Sequence, residues 1–145
     1  VVVHWGTEYA DEPSPWQVKA GRAFIDAGAA AVIGHHPHVI QGIERYGRGL
    51  IAYSLGNFLF DNLHDIKRFH GVLHLHFRKQ DSCLDGVDYF PTVGSRPRYA
   101  PVPARKSNFR KVAGRMRRLS KSAPLQRTEW ALEADRLTLP TACDQ

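Results

Sequence analysis

The first 38 residues run as an apolar β-branched stretch, a helix pattern and a second apolar stretch, and that order restricts the fold more than any other feature of the chain. Val1-Val2-Val3 leads into His4, and a continuous apolar run of this kind suits a strand buried on both faces of a parallel sheet. Ser14-Pro15-Trp16-Gln17 then reads as a helix start. Ser14 accepts from the freed amides of the first turn, proline suits the first helical position, and Gln17 reaches back. Trp16, Ala20, Ala23, Phe24 and Ala27 recur at helical spacing and predict the buried face. Gly28 suits the C-cap, which gives a helix of about 13 residues, roughly 20 Å long. Residues 29–33 form the second apolar run and end at Gly34-His35-His36-Pro37-His38. Strand, helix, strand predicts a right-handed βαβ crossover with parallel strands. Both strands then deliver their carboxyl ends to one sheet edge, where open α/β sheets bind ligands. His4 and the cluster His35, His36, His38 stand just past those ends.

Beyond the histidines, residues 39–46 and 50–53 flank Gly47-Arg48-Gly49 and predict a hairpin. Ser54-Leu55-Gly56-Asn57 interrupts the pattern, and Phe58-Leu59-Phe60 is predicted to resume it. Residues 71–77 and 85–93 predict two more strands. From Ser95 onward Pro97, Pro101 and Pro103 imply extended chain. The sequence thus divides into residues 1–94 and a proline-containing, basic extension over 95–145. Charge divides at the same place: residues 1–90 hold 8 Lys and Arg against 10 Asp and Glu, residues 91–145 hold 12 against 4, and the formal +6 belongs to the extension. A 43% hydrophobic content excludes a wholly disordered chain. No apolar run approaches the roughly 20 residues of a membrane span. Cys83 and Cys143 read as neither a metal pair nor a disulfide framework, so the compartment stays open.

Neutral imidazole is the commonest protein ligand for borderline divalent metals. His36-Pro37-His38 sets two such side chains on a loop stiffened by proline, and Gly34 permits close backbone approach. The plainer reading is that His35 and His38 cap the strand and bond to backbone. Three histidines within four residues, with His4 at the matching edge, favour the metal site.

His4-Trp5-Gly6-Thr7-Glu8-Tyr9, Gly34-His35-His36-Pro37-His38-Val39 with Gln41-Gly42, and Tyr53-Ser54-Leu55-Gly56-Asn57-Phe58 resemble the CapA family of bacterial capsule-synthesis proteins associated with poly-γ-glutamate. That family is itself similar to the calcineurin-like metallophosphoesterases. The resemblance covers residues 1–77 and implies an α/β fold, the C-terminal half of a four-layer α/β/β/α sandwich, with two divalent ions (Mn, Fe or Zn) at the strand ends. It implies His4, His36 and His38 as metal ligands, with the Gly-His-x-His element ambiguous because His35 is the residue after Gly34. His35 stands as a ligand or as the proton donor to a leaving oxygen. Glu8 is read as a substrate or supporting carboxylate, or as an exposed loop acid. Asn57 either orients the histidine loop through its amide or makes a structural turn. The family's earlier Gly-Asp, Asn-Leu-Glu and Asn-Asn-His elements do not occur in this sequence, so the expectation is a portion of a longer protein. Metal-dependent phosphoester hydrolysis is then expected only where those elements accompany it. The rival expectation is a non-catalytic polyanion-binding or assembly protein that kept the fold. The resemblance also implies a cell-envelope or extracytoplasmic location.

Four further histidines and the basic segment remain. His74 and His76 alternate with Leu73, Leu75 and Phe77, so they share one strand face; a wet face is the plain reading and a second metal site the sharper one. His64 and His70 are weaker candidates for substrate contact. Residues 105–121 contain eight Lys or Arg and no acid, with Phe109, Val112, Ala113 and Met116 at helical spacing. A solvated helix packed by its apolar stripe, an anionic membrane surface and an anionic polymer are all compatible with this pattern. Nucleic acid is disfavoured because no aromatic residues interleave for base stacking.

Overall fold

The computed structural model describes residues 1–61, 67–95, 100–122, 124–126, 128–139 and 143. Strand β1 (Val2–His4), helix α1 (Pro15–Asp26) and strand β2 (Ala31–His35) form the expected crossover, with β1 and β2 parallel and His4 opposite His35. Strands β3 (Ile43–Tyr46) and β4 (Gly49–Ala52) form the expected hairpin, and β4 lies parallel to β2. This first sheet has the order β1-β2-β4-β3.

The remaining strands build a second, antiparallel sheet. Strand β5 (Phe69–Phe77) pairs with β6 (Leu84–Gly94), and β7 (Pro101–Pro103) pairs with the end of β6. After helix α2 (Lys106–Leu119), strands β8 (Ala131–Leu132) and β9 (Leu137–Leu139) extend the sheet, with β9 on β6. The architecture is mixed α/β, as expected, with two sheets and two helices among the described residues. Pro97 and His64 lie outside the described residues.

Two apolar clusters hold these parts together. One packs α1 on the first sheet through Val18, Ile25, Val32, Ile51, Trp5 and Tyr53. The other joins both sheets and α2, with Ile43 and Leu50 from the first sheet, Val87 and Tyr89 from the second, and Val112 and Met116 from the helix. The apolar stripe of the basic helix is therefore core. The outer edge of β3 is covered from the same direction: the Ile43 amide donates to Ser120 Oγ at 3.0 Å and the Arg45 amide to Thr128 Oγ1 at 2.9 Å. Side-chain hydroxyls thus replace a neighbouring strand and blunt the edge. Among the described residues no helix is long and apolar enough to cross a membrane.

Four expectations need correction. First, the buried face of α1 is Gln17, Val18, Gly21 and Ile25, while Trp16 is 63% exposed. Gly21 sets this rotation, because a β-carbon there would lie 3.0 Å from Ile51 Cγ2 and 3.2 Å from Trp5 Cη2; the helix face without a side chain is the one that approaches the sheet closely. Second, among the described residues β1 pairs on one side only and Val2 is 75% exposed, where burial on both faces was expected. Third, Phe58, Leu59 and Phe60 make no strand and are exposed. Finally, Cys83 and Cys143 are joined in a disulfide with a Cα–Cα distance of 5.9 Å. Spacing alone did not reveal this pair, because the fold brings together two cysteines separated by 60 positions, one just before β6 and one beyond β9.

Candidate strand-end site

The site begins where β1 and β2 end. Gly34 is required there, since a β-carbon would lie 2.2 Å from the Tyr53 carbonyl oxygen and 2.3 Å from Trp5 Nε1. Trp5 occupies that space, donating its indole N–H to the Tyr53 carbonyl at 2.9 Å and stacking on the Tyr53 ring. Trp5 is thus a packing residue that ties the end of β1 to the end of β4.

Past this clamp the chain leaves ordinary backbone geometry. His36 has φ +99° and His38 φ +60°, with Pro37 between them, and Tyr9 on the facing loop has φ +63°. Left-handed conformations cost non-glycine residues energy and persist where the surroundings impose them. The two loops are bound to each other: the Tyr9 amide donates to the Pro37 carbonyl at 2.8 Å. A buried amide pair supports the Glu8 loop from below. Gln17 Nε2 donates to Gln41 Oε1 at 3.2 Å, and Gln41 Nε2 donates to the carbonyls of Ala10 and Glu12. Gly6, at φ +87°, lies directly over the Gln17 amide.

This backbone brings most of the expected residues together. The His4 and His36 rings lie 4.6 Å apart between centroids, and His36 and His38 lie 5.8 Å apart. Glu8 Oε1 lies 3.8 Å from His38 Nε2. Asn57 Oδ1 lies 2.7 Å from His38 Nδ1, while its Nδ2 donates to the carbonyls of His38 and Lys67, each at 3.3 Å. Two carbonyl acceptors fix the amide nitrogen, so the amide oxygen faces Nδ1 and the His38 proton sits on Nδ1. Nε2, the other ring nitrogen of His38, is the one that faces Glu8. The Tyr9 hydroxyl bonds to Glu8, and that bond to a carboxylate raises the phenol pKa above its ordinary value.

His35 is not part of the ring cluster. Its backbone pairs with His4 and accepts from the Trp5 amide, while its side chain lines a cavity of about 440 Å³ with Ile33, Leu55, Asn57 and Phe58. Sequence reasoning missed three contributors: Gln41, which suspends the Glu8 loop; Lys67, whose Nζ lies 3.4 Å over the Tyr9 ring; and Phe60, 5.0 Å from the His38 ring. Gln41 alone carried a signal, as a polar residue inside an apolar run. His70, a weak candidate for substrate contact, is buried and bonded to Thr92.

Three imidazoles and one carboxylate form a donor set suited to borderline divalent metals. They do not close into a finished ligand sphere. Among the described residues, the group of three ligating side chains whose donor atoms all lie within 4.8 Å of one another is instead His74, His76 and Asp88.

Comparison with known proteins locates the same stretch. Residues 1–62, which hold every residue of the strand-end cluster except Lys67, match the family described as bacterial capsule synthesis protein PGA_cap. The chain is 42% identical over 84 residues to the capsule biosynthesis protein CapA of Bacillus anthracis, covering 58% of this chain and 20% of that protein. It is 35% identical over 136 residues to the PGA biosynthesis protein CapA of Bacillus subtilis (strain 168), covering 93% of this chain and 33% of that protein. An uncharacterized protein of Sinorhizobium fredii, y4sH, is 47% identical over 60 residues, covering 41% of this chain and 13% of that protein. The chain spans a third or less of the length of these relatives. Over the span it shares with them, this chain belongs to the CapA-type bacterial capsule synthesis family.

Proposed function

We propose that this chain serves capsule synthesis, with poly-γ-glutamate as the polymer, and supplies part of a divalent-metal site of the metallophosphoesterase kind. The observation that carries the reading is the Asn57–His38 pair, which engages Nδ1 and turns His38 Nε2 toward the Glu8 carboxylate, beside the His36 ring. Metal-binding histidines are held in this way, with one ring nitrogen engaged so that the other is the ligand. His4, His36 and His38 would hold the metal, and two ions of Mn, Fe or Zn are the proposed cofactors. When bound, such ions polarise a phosphoryl oxygen and acidify a coordinated water.

The chain's own residues have separate tasks in this reading. Asn57 fixes the His38 tautomer. Gln41 and Gln17 hold the loop that carries Glu8. His35, which lines the neighbouring cavity, is the proposed proton donor to the leaving oxygen of an anionic phosphoester. A cell-envelope location accompanies the proposal, and the Cys83–Cys143 disulfide supports it, since disulfides persist in oxidising compartments. The test is Mn²⁺ titration of the longest natural protein that contains this chain, with hydrolysis of bis(p-nitrophenyl) phosphate followed alongside. Loss of the strand-end Mn²⁺ equivalents, together with loss of turnover, is expected in H36A/H38A. Turnover unaffected by H36A/H38A would overturn the reading.

A second reading rests on a different observation. Arg105, Lys106, Arg110, Lys111 and Arg118 are exposed on α2 and its N-cap, while the helix's apolar residues are spent in the core. That face suits an acidic polymer such as poly-γ-glutamate, held by charge without catalysis. A membrane would meet the same charges but no free apolar stripe. Salt-sensitive retention of poly-γ-glutamate, abolished by reversing Arg110 and Lys111, is the expected result, and equal retention of the reversed variant would sink it.

A further inference from the structure

We infer that His74, His76 and Asp88 form a second transition-metal site, on the outer face of the second sheet and separate from the strand-end cluster. The inference does not rest on the reading of the strand ends. It starts from strand register: His74 and His76 both point away from the core because Leu73 and Leu75 pack against it. Asp88 is the direct cross-strand partner of His74, and Gly86 is the partner of His76. A residue without a side chain opposite His76 leaves its ring free to lean toward Asp88. The ladder also shifts register between His76 and Phe77, and such bulges re-aim side chains at the end of a strand.

The outcome is a compact donor set. The two imidazole rings lie 4.3 Å apart between centroids, His76 Nε2 lies 2.8 Å from Asp88 Oδ2, and the three donor atoms are mutually within 4.8 Å. Arg136 engages the other carboxylate oxygen, with Nε 3.3 Å from Asp88 Oδ1. The ion pair falls on Oδ1, while Oδ2 is the oxygen that meets His76. Its positive charge is not left to repel a cation, because Arg136 also pairs with Glu133 at 2.7 Å and Asp135 at 3.6 Å. Three carboxylates around one guanidinium leave the locality net negative.

Two imidazoles and one carboxylate select a borderline divalent ion such as Zn²⁺ over Mg²⁺ or Ca²⁺, which prefer all-oxygen shells. Three protein donors on an exposed face leave the remaining coordination position to water or an exogenous ligand. Asp88 binds across to Arg136 beside β9 and His74 and His76 lie on β5, so the ion would bridge β5 and β6 at the point where β9 joins the sheet.

Zn²⁺ titration of the chain separates this site from the strand-end cluster. The H36A/H38A variant is expected to retain one Zn²⁺ equivalent, and adding H74Q/H76Q is expected to remove it. D88N alone should weaken binding by more than ~10-fold, since loss of even a carboxylate that only supports a ligand costs that much and Asp88 is a ligand in this site. Imidazole ¹H–¹⁵N spectra of the unmutated chain give a second readout that needs no variant to fold: the His74 and His76 resonances should shift with added Zn²⁺ to saturation. Unmoved His74 and His76 resonances, or the same Zn²⁺ equivalents with and without H74Q/H76Q, would overturn the inference.

Discussion

Asn57 and His38 are bound side chain to side chain at 2.7 Å, and the two carbonyls that hold Asn57 Nδ2 decide which end of the amide faces the ring. Replacement by aspartate tests this relationship. A carboxylate at this position would still accept from Nδ1 but could not donate to the His38 and Lys67 carbonyls, so the loop loses its anchor while the tautomer is kept. Alanine would lose both. Metal affinity of the strand-end cluster is therefore expected to fall by ~10- to 100-fold in Asn57→Ala and by less in Asn57→Asp. Mn²⁺ titration of the two variants measures the difference, and equal affinities would show that Asn57 serves only the turn.

Glu44 presents a second, purely structural prediction. It is fully buried and accepts from Arg22 Nη2 at 2.6 Å, the Tyr53 hydroxyl at 2.6 Å and the Gln126 amide at 2.7 Å. The carboxylate raises the pKa of Arg22 through their hydrogen bond, and burial followed by the same carboxylate raises that of Tyr53. Removing one partner of a buried pair leaves the others unsatisfied and costs about 3–5 kcal/mol. Arg22 is 28% exposed, which puts Glu44→Gln at the low end, near 3 kcal/mol. Urea denaturation of the variant reads this directly, and a loss below about 1 kcal/mol would contradict it.

These two cases show what the sequence made legible. The strand ends were readable because parallel topology follows from strand, helix, strand, and topology alone carries His4 to His35. The Asn57 contact was foreseen as one of two alternatives, since a short polar residue after glycine suits either. The buried face of α1 was misread because Gly21 and Gln17 look unsuited to a core, yet one permits close approach and the other finds Ser14 and Gln41. Glu44 gave no signal, as its partners lie 9, 22 and 82 residues away and only the folded sheet brings them together. Asp88 became visible as a neighbour of His74 only once the β5–β6 register was fixed.

The Cys83–Cys143 bridge yields the third prediction. It ties the start of β6 to the chain beyond β9 across a separation of 60 residues. A loop of that order restricts the unfolded chain by about 4 kcal/mol in the entropic account, within a typical range of about 2–4 kcal/mol. The double variant C83S/C143S is expected to lose about 2–4 kcal/mol, read from urea denaturation with m fitted separately for each protein, since the unbridged chain unfolds to a more expanded state with a larger m. Identical midpoints with and without reductant would show that the bridge does not form in solution.

His70 supplies the last prediction, from pH. Its ring is buried on the second sheet, with Nδ1 3.1 Å from Thr92 Oγ1. Burial, with a smaller contribution from the Arg68 charge, lowers its pKa to about 4. A histidine in the unfolded chain titrates near about pH 6.5. Above that value both states are neutral and stability owes nothing to this proton. Between about 6.5 and 4 the unfolded state holds the proton and the folded state does not, so stability falls as pH is lowered. The slope reaches about 1.4 kcal/mol per pH unit and totals about 3 kcal/mol by pH 4. Unfolding free energies of the unmutated chain and of His70→Gln, measured from about pH 7.5 to 4, should differ by a term that changes by that amount. The variant lacks the titrating group, so its curve should be the flatter of the two. Parallel curves would mean that the folded and unfolded states protonate His70 alike and that the ring is reached by water.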